Sequence, residues 1–539
     1  MHNKKLLILL AFLIFFLGQI PHHQLPCCND SNPAKPFGGT LTIGQITRPA
    51  TLNPLLEYSG VSAQFIDIVF DGLIDITEKG EIQPCLAASW KIGDGGRKWT
   101  FHLRKGVRFH DGQPFTAADV AFTINLLRDP HLRKGYSQFY QQITKVEARD
   151  PYTIDIHLIS PSASFIYGLV LGIVPRHLLQ GRDIHNTPFN YQPIGTGPFR
   201  LTQWSPDRLE FEANQDYFLG RPYLDRVVVK IFQSQDSALA NLMNGETDAF
   251  QLSDSASYDM IKRISCFRIY SALMPYYYIV GFNLANPLFQ DRRVRQALNY
   301  AINRESIIRK VLKEKGIASA GTIPPYSWAF DARVKPFPHD THKALELLAE
   351  AGWRDTDGDY ILDKDDKLFE FQLCLPEGHD ELEAVSLQIM DQLSNIGILV
   401  KAKKLPLEIM NNEYLFSRKF DAAFMYIYSG NDPDNNYQFW HSSQIGNGFN
   451  FFSYRNPRID QLLDQGRIAI DQEQRKDIYW QYQAKMKEDP PGIFLFWQEY
   501  FLGVHKRFQG IQLSPYMGVS DGLRLWYISM DERHPDEKF

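Results

Sequence analysis

The chain has 539 residues, of which 44% are hydrophobic and 22% are charged, and its formal net charge is −5. This length is too great for one hydrophobic core, so we expect roughly two or three domains in a protein of ordinary globular composition. The small net charge and the lack of a basic tract exclude a typical nucleic-acid-binding protein.

The N-terminus has the pattern of an export signal. Lys4 and Lys5 precede an apolar run from residue 6 to residue 17, which has the length of a signal-peptide core and is short for a membrane span. We therefore expect residues 1–28 to be a signal peptide and residues 29–38 to be a linker to the mature domains.

Two cysteines follow the apolar run. In bacterial lipoproteins, the signal is cleaved just before a cysteine that then receives a lipid. Cys28 has Leu25 at the apolar position that such a site requires, although Cys27 stands where a small residue is usual. We predict Cys28 as the lipidated residue, and the choice between the two cysteines stays open.

Hydrophobic periodicity predicts both strands and helices along the mature chain. Strands are predicted at 40–43, 73–76, 99–103, 143–148, 153–158, 225–232, 247–250, 276–283, 398–402, 421–427 and 492–496. Helices are predicted at 62–70, 237–243, 294–302, 344–351 and 385–396, and from residue 456 onwards. Because the two kinds of element alternate, we expect an α/β fold with open sheets.

One segment predicts a complete strand–turn–strand–turn–helix unit. Residues 99–103 alternate between apolar and polar, and residues 107–109 resume that alternation. Residues 110–112, His-Asp-Gly, favour a turn. Thr116 is expected to cap the following helix, with Asp119 three positions further on as the second half of a capping box.

Motifs for metal or nucleotide chemistry are weak. Cys85, Cys266 and Cys374 are isolated, so we expect free buried thiols rather than a zinc site or a disulfide framework. The glycine-rich loop at 194–199 lacks the spacing of a phosphate cradle and is interpreted as a tight turn. The aspartates of 355–363 are spaced like a calcium loop but lack its central glycine, so a hairpin turn is expected.

A series of short motifs occurs in a fixed order along the chain. They are Thr51-Leu-Asn-Pro54, Pro84-Cys-Leu-Ala-Ala-Ser-Trp90, the segment 99–120, Gly195-Thr-Gly-Pro-Phe199, Asn214-x-x-Tyr217, Asp291-x-Arg293-Val-Arg-Gln-Ala-Leu298, Ala301-Ile-Asn-Arg304, Asp432-Pro-Asp434 and Asn456-Pro-x-x-Asp460. Together they resemble the oligopeptide- and dipeptide-binding family, the bacterial family 5 (cluster C) of extracytoplasmic solute-binding proteins that serve ABC importers.

The resemblance implies a two-lobed periplasmic-binding-protein type II fold with an extra subdomain in lobe I. Lobe I is expected at 39–280, with the subdomain at about 60–185, and lobe II at 281–494, while 495–539 return to lobe I. The apolar run at 276–283 and the break at Pro490-Pro491 are then the expected hinge strands. Such proteins close around a ligand by hinge motion.

The resemblance also supplies candidate ligand-binding residues at the positions of the family's binding loops. They are Tyr58, Ser59, Gly60, Val61, Tyr426, Tyr428, Ser429, Asn431, Asp432, Asp434, Trp440 and Trp497, with Phe449 as a further aromatic wall. Core packing stays open for the aromatic residues, and a cap or turn for the two aspartates.

The family's charge anchors are absent from two matching positions. Ser429 stands where peptide-binding members hold the ligand's amino group with an aspartate, and residues 375–380 lack the arginine that holds a dipeptide's carboxylate. This disfavours a strict free-dipeptide specificity and leaves longer or modified peptides, or a non-peptide ligand, open.

Four acids, Glu377, Asp380, Glu381 and Glu383, cluster just before and at the start of the helix predicted at 385–396. We expect a solvated helix N-terminus, because acids favour that end of the helix dipole. Attraction of a cationic ligand is the alternative.

The expected function is capture of a peptide or a peptide-like solute and its delivery to an ABC permease in the inner membrane. The protein is expected to be a monomer without a cofactor or metal, periplasmic or otherwise extracytoplasmic, with an N-terminal lipid as its anchor. A nickel chelate, haem or an oligosaccharide is the alternative ligand. A secreted peptide hydrolase is the rival outside the binding class, but the chain has no GxSxG motif.

Overall fold

A computed structural model of the protein describes residues 36–57, 60–77, 79–132, 137–252, 254–446, 448–515 and 522–533. The predicted signal peptide, Cys28, Tyr58 and Ser59 lie outside the described residues. No helix among the described residues has both the length and the apolar character that a membrane crossing requires.

The strands follow the apolar runs of the sequence, and several extend beyond them. In chain order they are β1 Thr40–Gln45, β2 Ile74–Ile76, β3 Ile82–Pro84, β4 Ala87–Gly93, β5 Lys98–Leu103, β6 Ile143–Asp150, β7 Thr153–Leu158, β8 Phe199–Trp204, β9 Arg208–Ala213, β10 Arg226–Ile231, β11 Ala249–Leu252, β12 Phe267–Phe282, β13 Gly316–Ala318, β14 Asp363–Lys364, β15 Lys367–Leu368, β16 Glu370–Pro376, β17 Leu399–Leu405, β18 Ala422–Tyr428, β19 Gly492–His505, β20 Phe508–Gln509 and β21 Tyr527–Ile528.

Most of the longer helices begin at a side chain that caps them. The helices are α1 Gly60–Val69, α2 Ala117–Leu127, α3 Ser137–Gln141, α4 Arg176–Leu179, α5 Gln235–Met243, α6 Ser255–Lys262, α7 Arg292–Ala301, α8 Arg304–Lys310, α9 Thr341–Glu350, α10 Asp380–Ser394, α11 Leu407–Ile409, α12 Asn436–Trp440, α13 Pro457–Ile468 and α14 Gln472–Glu488. The alternation of helices with strands confirms the predicted α/β class.

Eleven strands of the described residues join into one mixed sheet. Their order is β17-β16-β18-β12-β19-β11-β1-β10-β9-β8, and β13 also pairs with β19. On one side β12 pairs with β19 over Phe267–Leu273 and again between residues 277 and 281, and on its other side Tyr276–Phe282 pair with β18. The end of β19 pairs in turn with β11. The strands β12 and β19 therefore connect the β16–β18 half of the sheet to the β1–β11 half.

The connection between the two halves is irregular at one place. The β12–β19 register shifts between Leu273 and Tyr277 and again between Tyr277 and Ile279. Pro275 lies inside this stretch and has no N–H to donate to a ladder. Register shifts of this kind bend and twist a strand locally.

Separate hydrophobic clusters cover the sheet. One cluster lies under the β1 and β8–β10 region and continues into a four-stranded antiparallel sheet of order β4-β5-β7-β6. Near β18, helices α7, α9 and α10 cover one face, and α12, α13 and α14 cover the other. The candidate site lies where β12 pairs with the end of β18, around the partly exposed side chains of Tyr426 and Tyr428.

The segment 99–120 largely folds as its pattern predicts. In β5 the alternating side chains are buried, and Thr116 and Asp119 form the expected capping box at the start of α2. The prediction that residues 107–109 resume a strand is wrong. Val107 and Phe109 are buried, but Arg108 makes only an isolated bridge with Pro114, because the chain turns back at once.

The turn at His110 is bonded to the glycine-rich loop. Its amide N–H donates to the carbonyl of Gly195 (2.8 Å), and its ring Nε2 lies 3.0 Å from the carbonyl oxygen of Gly197. Burial lowers the pKa of His110 to about 4, so the ring is neutral at pH 7. A Cβ at Gly195 would lie 1.9 Å from the carbonyl oxygen of Val69, which explains this glycine by close packing on α1.

Asp71, just after α1, joins several of the sequence motifs. Its carboxylate accepts hydrogen bonds from the hydroxyls of Thr196 (2.7 Å) and Tyr217 (2.8 Å), and the Cys85 thiol lies 3.7 Å away. Each of these partners belongs to a different motif of the resemblance. Burial is the largest effect on Asp71 and raises the pKa of its carboxyl from 3.8 to about 6.

The cysteine prediction is partly confirmed. Cys85, Cys266 and Cys374 are all free, and Cys85 and Cys374 are buried. The expectation that Cys266 is also buried is wrong, because it lies on the exposed turn between α6 and β12.

Asp71 predicts a pH-dependent stability. Since the pKa of Asp71 is raised from 3.8 to about 6 by folding, the folded state holds this proton more tightly than the unfolded state. The stabilisation that protonated Asp71 gives the folded state is fully present below pH 3.8, and it is lost as the pH rises through 6. A shift of about two pKa units corresponds to roughly 3 kcal/mol.

We expect the unfolding free energy of the wild type, relative to Asp71→Asn, to fall by roughly 3 kcal/mol between about pH 4 and about pH 7.5 in urea titrations. Asp150→Asn is the control of opposite sign, because the backbone N–H of Tyr152 lowers the pKa of Asp150. A wild-type–Asp71→Asn difference that does not change with pH would contradict the assignment.

Candidate functional site

Four tyrosines lie on one face of the sheet where β12 and β18 pair. Tyr276 stands opposite Tyr428, and Tyr278 stands opposite Tyr426, so strand alternation puts all four side chains on the same face. The ring centroids of Tyr276 lie 5.5 Å from those of both Tyr426 and Tyr428. Tyr426 and Tyr428 are 40% and 38% exposed. We call these four residues the tyrosine face.

The two candidate tryptophans lie in the core behind the sheet. Trp440 and Trp497 are 0% and 1% exposed. The Trp440 indole N–H donates to the hydroxyl of Tyr277 (3.1 Å), which points away from the tyrosine face. Phe449 is half-buried and packs against the same core. As ligand contacts, these three aromatic residues stay predictions, and their observed packing is the structural alternative.

Ser429 begins the loop after β18. Its amide N–H and its hydroxyl both donate to the carbonyl of Pro275, at 2.8 and 3.2 Å. The residue is 4% exposed and lines a small recess with Tyr326 and Asn431. The side chain at this position is therefore a neutral donor that joins the loop to β12.

Asp432 is held by an arginine of α14. The two guanidinium N–H groups of Arg475 donate to its two oxygens at 2.9 and 2.6 Å, and both side chains are almost fully buried. The Asp434 amide also donates to Asp432, which caps the short turn that follows. Both oxygens are thus occupied, and a ligand role for Asp432 stays a prediction that would require this pair to open.

Asp434 joins segments that are distant in sequence. The hydroxyl of Ser164, 270 positions away in the turn after β7, donates to its carboxylate at 2.7 Å. The Arg467 guanidinium donates to the same carboxylate (3.1 Å) and lies 3.5 Å from the centroid of the Tyr437 ring. The loop after β18 is thereby bonded to the region of the four-stranded sheet.

The predicted acidic start of the helix is confirmed, although Glu381 is partly buried rather than solvated. Asp380, Glu381 and Glu383 lie in the first turn of α10. Glu383 pairs with Lys404, whereas Glu381 is partly buried and accepts a hydrogen bond from the Gln498 amide (2.6 Å). Burial raises the pKa of Glu381.

The remaining sequence candidates are placed at the start of α1 and beside β18. Gly60 is exposed with φ +54°, and Val61 packs partly against the core around β1. Asn431 accepts a hydrogen bond from the Tyr428 hydroxyl (3.0 Å). Whether these residues contact a ligand stays a prediction.

The aspartates of the calcium-like segment form a turn. Oxygens of Asp355, Asp357 and Asp363 lie within 4.8 Å of one another. Asp355 accepts backbone N–H bonds from Gly358 and Tyr360, and the hairpin β14–β15 follows. The hydrogen bonds therefore account for these acids as turn formers, as the hairpin prediction requires.

Sequence reasoning missed several residues of the site. Ser164, Arg467 and Arg475 give no local signal, because their partners are remote in the chain. Tyr276 and Tyr278 did have a local sequence signal, because alternation through the run at 276–283 places both on one face of a strand.

Comparison with known proteins agrees with this architecture. Residues 81–448 match the family described as bacterial extracellular solute-binding proteins, family 5 Middle. Oligopeptide-binding protein AppA of Bacillus subtilis (strain 168) is 33% identical over 505 residues, which are 91% of this chain and 92% of that protein.

Solved structures are similar over almost the whole chain. The structure of AppA from Bacillus subtilis in complex with a nonapeptide is 32% identical, covers 92% of this chain and 100% of that chain, and has a TM-score of 0.76. NikZ from Campylobacter jejuni in complex with Ni(L-His) is 30% identical, covers 90% and 99%, and has a TM-score of 0.77.

The divided sheet and these similarities define the type II periplasmic-binding-protein fold, whose members are extracytoplasmic solute-binding proteins. The chain belongs to the bacterial extracellular solute-binding proteins of family 5. The resemblance drawn from the sequence motifs is confirmed.

The buried pair of Asp432 and Arg475 predicts a stability effect. Asp432→Asn leaves the guanidinium buried without its counter-charge, so we expect the unfolding free energy to fall by about 3–5 kcal/mol in urea titrations. Glu147→Gln, which breaks an exposed pair with Lys145, is the control and should leave the unfolding free energy almost unchanged. Unchanged stability in Asp432→Asn would show that Asp432 is free for a ligand.

Proposed function

We propose that this protein is the solute-binding component of an ABC importer, and that it captures peptides between two lobes and delivers them to a membrane permease. One observation carries the proposal. AppA, named an oligopeptide-binding protein and solved with a nonapeptide, is similar to this chain over nine-tenths of its length. The partly exposed tyrosine face supports it, since such amphipathic rings suit the mixed surface of a peptide.

The proposed lobes follow the two halves of the sheet. Residues 39–280 and 495–539 form lobe I, with the subdomain at about 60–185, and residues 281–494 form lobe II. The strands β12 and β19 are the proposed hinge, because they connect the halves and their ladder is irregular at 273–279. The protein works outside the cytoplasm as a monomer without catalytic activity, anchored through a lipid on Cys28.

Ser429 argues for a peptide longer than two residues. A buried serine that already donates to Pro275 offers no negative charge to a free amino group. A short ligand would depend on that charge more than a long one, which gains contacts along its backbone. A nickel–histidine chelate is the second candidate, because NikZ is 30% identical to this chain and was solved with Ni(L-His).

Native mass spectrometry of the protein purified without refolding tests the ligand class. We expect complexes whose added mass is that of unblocked peptides longer than two residues, and no turnover of peptide pools on incubation. The added mass of a nickel–histidine chelate or haem would contradict the peptide proposal. A bound free dipeptide would contradict only the inference from Ser429, and peptide cleavage would favour a hydrolase.

The contact between Ser164 and Asp434 joins the two proposed lobes and predicts a kinetic effect. In Ser164→Ala, loss of a hydrogen bond to a carboxylate that exists only when the lobes meet should raise the rate of peptide dissociation about tenfold. The association rate should change little, as measured by stopped-flow tyrosine and tryptophan fluorescence.

Ser162→Ala is the matched control for that experiment. Its hydroxyl lies 3.4 Å from that of Ser164, within the same buried turn, but among the described residues it makes no hydrogen bond to Asp434. Equal dissociation rates in Ser164→Ala and Ser162→Ala would show that the contact does not hold the lobes together.

A further inference from the structure

Lys315 lies where the two halves of the large sheet meet along β19. It directly precedes β13, which pairs with residues 496–498 of β19, while β11 pairs with residues 501–504 of the same strand. Both pairings use the side of β19 that faces away from β12, and they leave a gap at 499–500. Leu273 of β12 stands opposite this gap, and the register shifts of the β12–β19 ladder begin directly after it. The gap between β13 and β11 is therefore level with the irregular part of the ladder.

The ammonium group of Lys315 crosses this gap to helix α6. Its nitrogen lies 3.7 Å from the centroid of the Tyr258 ring, donates to the carbonyl of Ser255 (3.2 Å) and lies 3.8 Å from a carboxylate oxygen of Asp259. The lysine side chain is only 12% exposed. Because a charge that is removed from water needs compensating partners, these contacts with α6 are what hold the ammonium in place.

The two sides of this contact belong to different hydrophobic clusters. Leu312, three positions before Lys315, is buried in the cluster that covers the β16–β18 half of the sheet together with α7, α9 and α10. Tyr258 packs instead against Phe501, at 4.7 Å between ring centroids, in the cluster that α6 forms over β11. Lys315 is thus fixed to one half of the sheet and its aromatic partner to the other.

A bend of β12 and β19 at the gap would change the distance between β13 and α6. We propose that Lys315 is a clasp of the closed lobes, whose ammonium binds the Tyr258 ring and the Ser255 carbonyl when the lobes meet and leaves both when they open. Closure is then held at two places, here and where Ser164 donates to Asp434. Lys315 is a positioning residue, because it acts on the ligand through closure. This inference rests on the proposed function, because it takes the two halves as lobes that close around a captured peptide.

Lys315→Met tests the clasp, because methionine keeps a flexible apolar side chain and removes the charge. The probes are a set of nonapeptides of alanine, glycine, serine and valine, the length of peptide with which AppA was solved. Since these peptides have no aromatic residue, stopped-flow tyrosine and tryptophan fluorescence reports on the protein. We expect the dissociation rate to rise about fivefold, because the cation–π contact is lost only from the closed state. The association rate and the unfolding free energy of the ligand-free protein should change little.

Lys313→Met is the matched control for that experiment. This lysine lies two positions earlier, its ammonium is 3.9 Å from the same Asp259 carboxylate, and its side chain is 54% exposed. Because exposed ion pairs contribute little, we expect wild-type rates in this variant. Lys315→Arg keeps a cation that can lie on the Tyr258 ring, so its dissociation rate should stay within about twofold of the wild type.

Tyr258→Leu removes the aromatic partner and decides the question should Lys315→Met fold poorly. We expect its dissociation rate to rise about threefold. Lys262→Met is its control, because the Lys262 ammonium lies 5.6 Å from the centroid of the same ring but belongs to α6 itself and does not join the lobes.

Two results would overturn the clasp alone. One is a dissociation rate that is equal in Lys315→Met and Lys313→Met, or equal in Tyr258→Leu and Lys262→Met where Lys315→Met does not fold. The other is a lower unfolding free energy of Lys315→Met with an unchanged dissociation rate, which is the result that a merely structural role predicts. If the wild type binds none of the nonapeptides, the proposed function is overturned together with the clasp.

Discussion

The antiparallel pairing of β12 with β19 is the constraint on which the rest of the structure depends. These strands of 16 and 14 residues are the two that connect the halves of the large sheet. Their ladder is interrupted around Pro275, which cannot donate a hydrogen bond. Ser429 ties the loop after β18 to this irregular stretch, because its amide N–H and its hydroxyl both donate to the Pro275 carbonyl. The residue that departs from the peptide-binding pattern is thus part of the joint between the halves.

The sequence motifs that reveal the family are scaffold elements in this structure. His110 bonds the turn after β5 to the glycine-rich loop, and Asp71 bonds that loop to two further motifs through Thr196, Tyr217 and Cys85. A buried carboxyl with several donors tolerates few substitutions, because removing any one partner leaves a polar group unsatisfied. Such residues identify the architecture clearly and say little about which ligand is bound.

Local sequence patterns were sufficient to predict the elements whose buried side chains recur at a regular spacing. Alternation predicted β5, and the Thr116–Asp119 spacing predicted the start of α2, because both signals lie within a few residues. The sequence did not reveal α14, since its exposed surface is highly polar and its buried positions, such as Tyr479 and Tyr482, are few. The first part of β12 was also missed, because polar residues and Pro275 interrupt the alternation there.

The candidate site was harder to predict, because its organisation depends on contacts between distant parts of the chain. Asp432 is recognisable as a turn residue, but its pairing with Arg475 places it in the core. Trp440 and Trp497 have the chemistry of a binding wall, but the pairing of Trp497 with Tyr277 and the hydrogen bond from Trp440 to Tyr277 place both behind the sheet. Position within the fold, rather than residue type, separates these side chains from the exposed tyrosines.

Electrostatic balance in the loop after β18 favours a neutral residue at position 429. A negative charge at position 429 would lie beside Pro275 in a nearly closed position, where it would also repel Asp432 and Asp434 in the same loop. Those two aspartates are already neutralised by Arg475 and Arg467, so the loop has no further cation to accept a third acid.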